Sequence, residues 1–266
     1  MIRRVAGAAA AARRTDLGRR ALAGVVMVVV ALVLLALGGW PFWLFVVAVS
    51  AAMLAEWAGL MHAPMGRTRV AVLLYVLALF AATPALFGPN RDAVALLASA
   101  AIVVALALGS VRLGSGLAYV GLPAIGLLYL RTLPGGFWLA LWVLAVVAAT
   151  DTGAYFAGRA IGGPKLAPRL SPSKTWAGLL GGAVAALVLG AALAVAGRLP
   201  AAFLGLGGVM AVLAQMGDLF ESWLKRRAGV KDSGRILPGH GGVLDRADGL
   251  VPVAALVAAL IAGHAL

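Results

Sequence analysis

The feature that most constrains this chain is a series of long segments without Lys, Arg, Asp or Glu. All but the first, which is longer, match the roughly 20 apolar residues that cross the ~30 Å hydrocarbon core of a bilayer as a helix. Backbone amides in hydrocarbon must be hydrogen-bonded within the chain, so each segment is expected to be helical. The segments are Ala21–Ala55, Val70–Asn90, Ala93–Val111, Leu113–Leu130, Thr132–Thr150, Thr175–Gly197, Leu199–Gly217 and Gly249–Leu266.

The first segment predicts two helices, because it continues to Met61 and is interrupted by Gly38-Gly39-Trp40-Pro41. Hydrophobic residues make up 63% of the chain and charged residues only 12%, whereas about 25% of residues are charged in soluble domains. Arginines precede the first helix as in a signal peptide, but no cleavage site follows, so this helix is expected to be retained. The fold class predicted is all-α: a polytopic integral membrane protein with about nine transmembrane helices and two cytoplasmic polar loops.

The positions of the cations predict the orientation of these helices. With a cytoplasmic N-terminus and nine spans, all of the 22 Lys and Arg residues lie inside except Arg91, Arg131 and Arg198. The polar loops are then cytoplasmic and the C-terminus is outside. This topology explains most of the net charge of +13, and without a soluble domain to present a basic face, nucleic acid is not an expected partner. The absence of cysteine excludes disulfides and thiolate chemistry.

The two parts of the chain differ in the chemistry they carry. Residues 1–150, with about six spans, contain few polar side chains. Residues 151–266 form the predicted catalytic transmembrane region, with cytoplasmic loops at 151–177 and 218–249. Glu56 lies near the inner end of the second span, where a structural role at the level of the lipid headgroups is favoured over a functional one. The glycines at 114–121 and 178–182 are expected to permit close helix packing rather than to form phosphate loops.

Six of the nine acidic residues fall in the second part. Two pairs are spaced three residues apart, so the members of each pair would share a helix face. Carboxylates that converge at one membrane face suit Mg²⁺, which binds oxygen ligands and keeps positions for phosphate oxygens. The alternative is a set of interfacial salt bridges, but nearby cations and glycines favour a polyphosphate–metal site. The six acids are Asp151, Asp218, Glu221, Asp232, Asp245 and Asp248.

Two motifs resemble those of a known family. The first runs from Ser222-Trp-Leu-Lys225-Arg226 through Lys231-Asp232-Ser-Gly234 to Leu237-Pro-Gly-His240-Gly241-Gly242-Val-Leu-Asp245-Arg246-Ala-Asp248. It resembles the signature of the phosphatidate cytidylyltransferases, also called CDP-diacylglycerol synthases. Asp151–Arg159 and Leu170–Gly178 resemble the upstream loop of the same family. Many members have Glu where this chain has Ala177, so no role is assigned there.

The resemblance implies a nucleotidyltransferase of phospholipid biosynthesis that converts CTP and phosphatidate into CDP-diacylglycerol and pyrophosphate. It implies Mg²⁺ as the cofactor, with a second cation left open. It also implies a multi-pass protein of the bacterial inner membrane whose N-terminus and active site are cytoplasmic. Membrane lipids would surround it, and a homodimer is left open.

The resemblance and the chemistry together assign roles to individual residues. The expected metal ligands are Asp218, Asp245 and Asp248. The expected catalytic residues are Lys225, Arg226, Lys231, His240, Arg246 and Asp248, with a purely conformational role in a turn as the alternative for His240. The expected substrate-binding residues are Lys174, Ser222, Asp151, Gly241 and Gly242. Glu221 and Asp232 would orient the cations.

Two other functions remain as alternatives at this point. A CDP-alcohol phosphotransferase is suggested by Asp245-Arg-Ala-Asp248-Gly249, but its motif should continue with further Asp and Gly residues that Leu250–Leu266 does not supply. A membrane transporter would place ionisable residues in the middle of its spans rather than at one face.

Overall fold

The computed structural model describes residues 23–86, 88–236, 241–264 and 266. His240 and the six N-terminal arginines lie outside the described residues. Most of the described chain is helical. The helices are α1 (Ala23–Leu37), α2 (Gly39–Leu60), α3 (Met65–Phe80), α4 (Arg91–Ala107), α5 (Val111–Thr132), α6 (Gly136–Ala160), α7 (Trp176–Ala196), α8 (Phe203–Arg227), α9 (Leu244–Ala247) and α10 (Leu250–Ala262).

Every predicted apolar segment contains a helix, which confirms a mostly helical, multi-pass membrane protein. Within the described residues, five helices are long and apolar enough to cross a bilayer, namely α2, α5, α6, α7 and α8. Helices α3, α4 and α10 are shorter, with 16, 17 and 13 residues. The number of nine spans therefore stays a prediction.

The helix ends differ from the ends of the apolar segments. Helix α3 ends at Phe80, before Pro84, and α8 begins at Phe203, after Pro200, because proline and its preceding residue disfavour helix. Helices α6 and α8 continue past Asp151 and Asp218 to Ala160 and Arg227. The predicted polar segments 151–177 and 218–249 therefore begin as helix, and their assignment as cytoplasmic loops stays a prediction.

A short β-hairpin departs from the purely helical prediction. Strands β1 (Lys165–Ala167) and β2 (Ser171–Thr175) pair antiparallel between α6 and α7. Gly162 and Gly163 turn the chain into it with φ of 69° and 89°, values that favour glycine. At its end, Thr175 Oγ1 accepts a hydrogen bond from Gly178 N at 3.0 Å and caps α7.

Close glycine contacts join the helices, as the sequence predicts. A methyl group at Gly182 would lie 2.7 Å from Thr150 O, which fixes the approach of α7 to α6. A methyl group at Gly114 would lie 2.6 Å from Ala101 O, which does the same for α5 and α4. The prediction that these glycines serve helix packing is confirmed.

Two apolar clusters form the core, one mainly from α1 to α5 and one mainly from α6, α7, α8 and α10. Helix α10 crosses α5, where a methyl group at Gly126 would lie 2.9 Å from Ala258 Cβ. This packing brings five parts of the chain to one face of the bundle. They are the C-terminal ends of α2, α6 and α8, the start of α7, and α9.

Candidate active site

An ion pair joins the hairpin to α8. Lys174, just before α7, forms an ion pair with Asp218, and its Nζ donates a hydrogen bond to Gln215 Oε1 at 2.8 Å. Ser222 lies one turn further along α8, and its Oγ is 3.4 Å from Asp218 Oδ1. Asp218 therefore links the two motifs, since Lys174 contacts one of its carboxylate oxygens and Ser222 the other.

A second ion pair joins α8 to α9. Lys225 Nζ lies 2.6 Å from Glu221 Oε2 and 2.7 Å from Asp245 Oδ1. Glu221 is fully buried, and its side chain shares the ammonium of Lys225 with the partly exposed carboxylate of Asp245. The contact agrees with the prediction that Glu221 orients a cation.

Asp245 also binds the backbone of its own segment. Its carboxylate accepts hydrogen bonds from Ser233 N at 3.0 Å and from Gly242 N at 2.8 Å. Burial would raise the pKa of Asp245, but contacts with Glu221, Lys225 and these two N–H groups lower its pKa to about 2. Asp245 is therefore an anionic anchor for the chain around it.

Gly241 and Gly242 both lie close to the Asp245 carboxylate. Gly241 has a φ of 82°, and a methyl group there would lie 2.9 Å from Asp245 Oδ2. The N–H of Gly242 donates to that same carboxylate. Binding of substrate by these two glycines stays a prediction, and for Gly242 the backbone N–H already has a partner within the chain.

The remaining acids lie around the first ion pair. Asp248 accepts a hydrogen bond from Gly249 N at 2.7 Å. Burial, followed by the charges of Asp218 and Asp151, raises the pKa of Asp248 to about 7, while Lys174 opposes this effect. The three carboxylates are thus near enough to repel one another, and an ammonium lies among them.

Carboxylates are the ligands that a hard divalent cation prefers, and such an ion would relieve the repulsion between them. In the part of the chain that the structure describes, no three acidic or histidine side chains are close enough to form a metal centre. The lysine pairs are those that the salt-bridge alternative predicts. The metal roles of Asp218, Asp245 and Asp248 accordingly stay predictions, and Asp245 is bound to Lys225 instead.

The other predicted residues are exposed near these pairs or lie outside the described chain. Arg246 is near Asp151, which is exposed on α6. Catalytic roles for these side chains stay predictions. The exposed residues are Arg226, Lys231, Asp232 and Arg246, and the residue outside is His240.

Sequence reasoning missed Gln215, and it favoured a headgroup-level role for Glu56, which the structure instead buries against residues 233, 243 and 244. Gln215 holds Lys174, and Glu56 on α2 accepts hydrogen bonds from Ser233, Val243 and Leu244. Each is a polar residue in or beside a long apolar segment, a pattern that marks a buried interaction. The sequence does not show which partner each one meets.

Comparison with known proteins agrees with the motifs. Residues 18–263 match the model of the cytidylyltransferase family. The chain is 42% identical over 254 residues to the phosphatidate cytidylyltransferase of Brucella suis biovar 1, covering 91% of this chain and 92% of that protein. It is 47% identical over 122 residues to the Haemophilus influenzae enzyme of the same name, covering 43% and 42% of the two chains. The corresponding Bacillus subtilis enzyme is 47% identical over 116 residues, 42% of this chain and 43% of its own.

The match to the family extends beyond the two motifs and includes α2, whose Glu56 reaches the site. It also decides between the three functions that the motifs left open, because neither a CDP-alcohol phosphotransferase nor a transporter would match this family along nearly the whole chain. The protein belongs to the cytidylyltransferase family.

Proposed function

We infer that the protein is a phosphatidate cytidylyltransferase. A phosphate oxygen of phosphatidate attacks the α-phosphorus of CTP, and a new P–O bond forms as the bond between the α-phosphorus and the bridging oxygen breaks. The products are CDP-diacylglycerol and pyrophosphate. The reaction belongs to phospholipid biosynthesis.

The observation that carries this function is the convergence of two ion pairs on α8, Lys174–Asp218 and Lys225–Asp245. The phosphatidate phosphate is already a nucleophile, so the protein has to position two polyanions and offset their repulsion. Cations held beside carboxylates at a membrane face suit this task. The lysines would exchange a carboxylate contact for a phosphate contact as CTP binds.

The described side chains suggest a division of roles. Lys174 and Lys225 are held by neighbouring carboxylates and would bind the phosphates of CTP. The exposed side chains would bind further phosphate oxygens from the aqueous side of the site; they are Arg226, Lys231 and Arg246. Asp218 and Asp248, with Asp151 beside them, would hold Mg²⁺, and Asp245 is a further candidate ligand. When bound, Mg²⁺ would neutralise charge on the phosphates and on the departing pyrophosphate.

The reaction also fits a site at the membrane surface. CTP is soluble in water, whereas phosphatidate stays in the bilayer, so the two meet where helix ends leave the lipid. We place this face in the cytoplasm and the protein in the bacterial inner membrane, since the cations of the chain concentrate on that side.

Pyrophosphate release by the purified protein tests the proposal. The protein in detergent micelles should release pyrophosphate only when CTP, phosphatidate and Mg²⁺ are all present. Asp218→Asn serves as the matched control, because it removes one charge from the site and should lose most of the activity. Release without phosphatidate, or no release with all three, would contradict the proposed reaction.

A further inference from the structure

Glu56 is an acidic side chain that the reaction does not by itself require. It lies on α2, in the N-terminal part of the chain, and is only 5% exposed. Its carboxylate accepts hydrogen bonds from Val243 N at 3.0 Å, Leu244 N at 2.8 Å and Ser233 Oγ at 3.2 Å. Ser233 is 177 residues away in sequence. Three donors from one distant segment therefore satisfy a charge that would be costly to bury alone.

The segment has glycines where it approaches this carboxylate. A methyl group at Gly234 would overlap Glu56 Oε1, and one at Gly242 would overlap Ser233 Oγ and lie 2.6 Å from Glu56 Oε2. Larger residues at these positions would push the segment away from α2. The local sequence is thus fitted to the presence of the Glu56 carboxylate.

The same residues are also bound by Asp245. Ser233 donates its side-chain hydroxyl to Glu56 and its backbone N–H to Asp245. Gly242 N also donates to Asp245, and the next two N–H groups, of Val243 and Leu244, donate to Glu56. We call residues 233–234 and 241–244 the anchored segment, because the carboxylates of Glu56 and Asp245 both bind its N–H and hydroxyl groups.

Helix α2 is itself fixed at this point. Trp57, next to Glu56, donates its indole N–H to Arg112 O at 2.9 Å, at the start of α5. Its ring lies 4.9 Å from that of Tyr119, between ring centroids. Glu56 therefore connects the anchored segment to a part of α2 that is itself bound to α5.

We propose that Glu56 is a positioning residue for cytidylyl transfer, which holds the anchored segment so that Asp245 fixes the ammonium of Lys225 for the phosphates of CTP. The chain of contacts runs from Glu56 through Ser233 to Asp245 and then to Lys225. Glu56 touches no substrate in this arrangement. The proposal rests on the proposed function, but its structural part can be measured without any substrate.

Glu56→Gln is the direct test. Glutamine has the same shape, but it replaces one accepting oxygen with an NH₂ group that cannot accept a hydrogen bond. At least one of the hydrogen bonds from Val243 N and Leu244 N is therefore lost. The loss of one or two charge-assisted bonds predicts a decrease in kcat of about 10- to 100-fold. Asp92→Asn, which removes an exposed charge at the start of α4, is the matched control and should keep wild-type kcat.

Hydrogen exchange separates positioning from a general loss of stability. In Glu56→Gln, the amides of Val243 and Leu244 should exchange faster, while amides of α5 and the thermal unfolding midpoint stay as in the wild type. Faster exchange throughout the bundle, with a lower midpoint, would overturn the proposal in favour of a structural role. Unchanged exchange at both amides would also overturn it.

A second variant tests the pathway. Ser233→Ala removes only the hydroxyl contact and should lower kcat severalfold in the wild type, but much less in Glu56→Gln, because the two side chains act through one contact. Losses that simply multiply would overturn the proposal, as would wild-type kcat for Glu56→Gln. If the wild type makes no CDP-diacylglycerol, the proposed function fails, and the exchange measurement still decides whether Glu56 fixes the segment.

Discussion

The ammonium of Lys174 forms an ion pair with Asp218, which brings the hairpin after α6 against the last turns of α8. Thr175, which follows Lys174, caps the N-terminus of α7. The position of Lys174 is therefore set by the start of a helix rather than by a loop. Two motifs that are well separated in sequence therefore contribute to one site.

Lys174→Ala should lower kcat/KM for CTP, because the lysine is expected to bind a phosphate of the nucleotide. A charge-assisted hydrogen bond contributes about 1.5–3 kcal/mol, which corresponds to a decrease of about 10- to 150-fold. Lys174→Arg should be partly tolerated. Steady-state kinetics with saturating phosphatidate measure the effect.

Lys165→Ala is the matched control, since Lys165 is an exposed lysine on β1 of the same hairpin. It should leave the kinetics for CTP unchanged. If Lys174→Ala also keeps wild-type kinetics, Lys174 does not bind CTP and contributes only to the topology and to the ion pair with Asp218.

Removal of divalent cations should abolish turnover reversibly. We expect no activity after treatment with EDTA and full recovery with added Mg²⁺. Asp218→Asn and Asp245→Asn should each lower kcat about 100-fold or more, by analogy with the loss of one electrostatic stabiliser. Titration with Mg²⁺ distinguishes their roles, because a variant of a metal ligand needs more Mg²⁺ for half-maximal activity. If Asp245→Asn needs no more Mg²⁺ than the wild type, Asp245 is not a metal ligand and acts only through its bonds to Lys225 and the backbone.

Gly242→Ala should lower activity strongly, because the added methyl group would overlap Ser233 Oγ and approach the Glu56 carboxylate. A Cβ this close forces the chain to move, so we expect at least a tenfold decrease in kcat. Gly59→Ala on α2 is the control, since no atom lies within 4 Å of the added methyl group. Equal activities of the two variants would show that the segment adapts easily.

The orientation of the helices can be tested with fusion reporters. Reporters placed after Arg112, Thr175 and Arg227 should be cytoplasmic, and one placed after Leu266 should be on the opposite side, because the cations then lie inside. Detection of the C-terminal reporter in the cytoplasm would reject nine spans.

The sequence predicts the helices of this fold well because charge-free segments in a bilayer have few alternatives to helix. It predicts their ends less well. Hydropathy marks where the lipid ends, whereas α6 and α8 continue past Asp151 and Asp218 because a hydrogen-bonded helix does not need apolar residues to extend. The sequence does not predict the hairpin at 165–175, because it is one short strand pair that contains Pro168 and Pro172.

The candidate site was predictable where its residues share a motif. The motif from Ser222 to Asp248 groups residues at the end of α8 with those of α9, but it does not show that Asp245 binds Ser233 N and Gly242 N. The contact between Glu56 and the anchored segment depends on the packing of α2, which the sequence alone does not define. A buried acid in an apolar segment indicates that a partner exists without naming it.

The fate of the individual phosphates of CTP tests the central claim most directly. Purified protein should be given phosphatidate, Mg²⁺ and CTP labelled with ³²P at either the α or the γ position, and the lipid and aqueous fractions should be counted separately. Cytidylyl transfer predicts that the α label enters the lipid as CDP-diacylglycerol and that the γ label stays in the water as pyrophosphate. Transfer of the γ label to lipid, or no label in lipid from α-labelled CTP, would contradict the account.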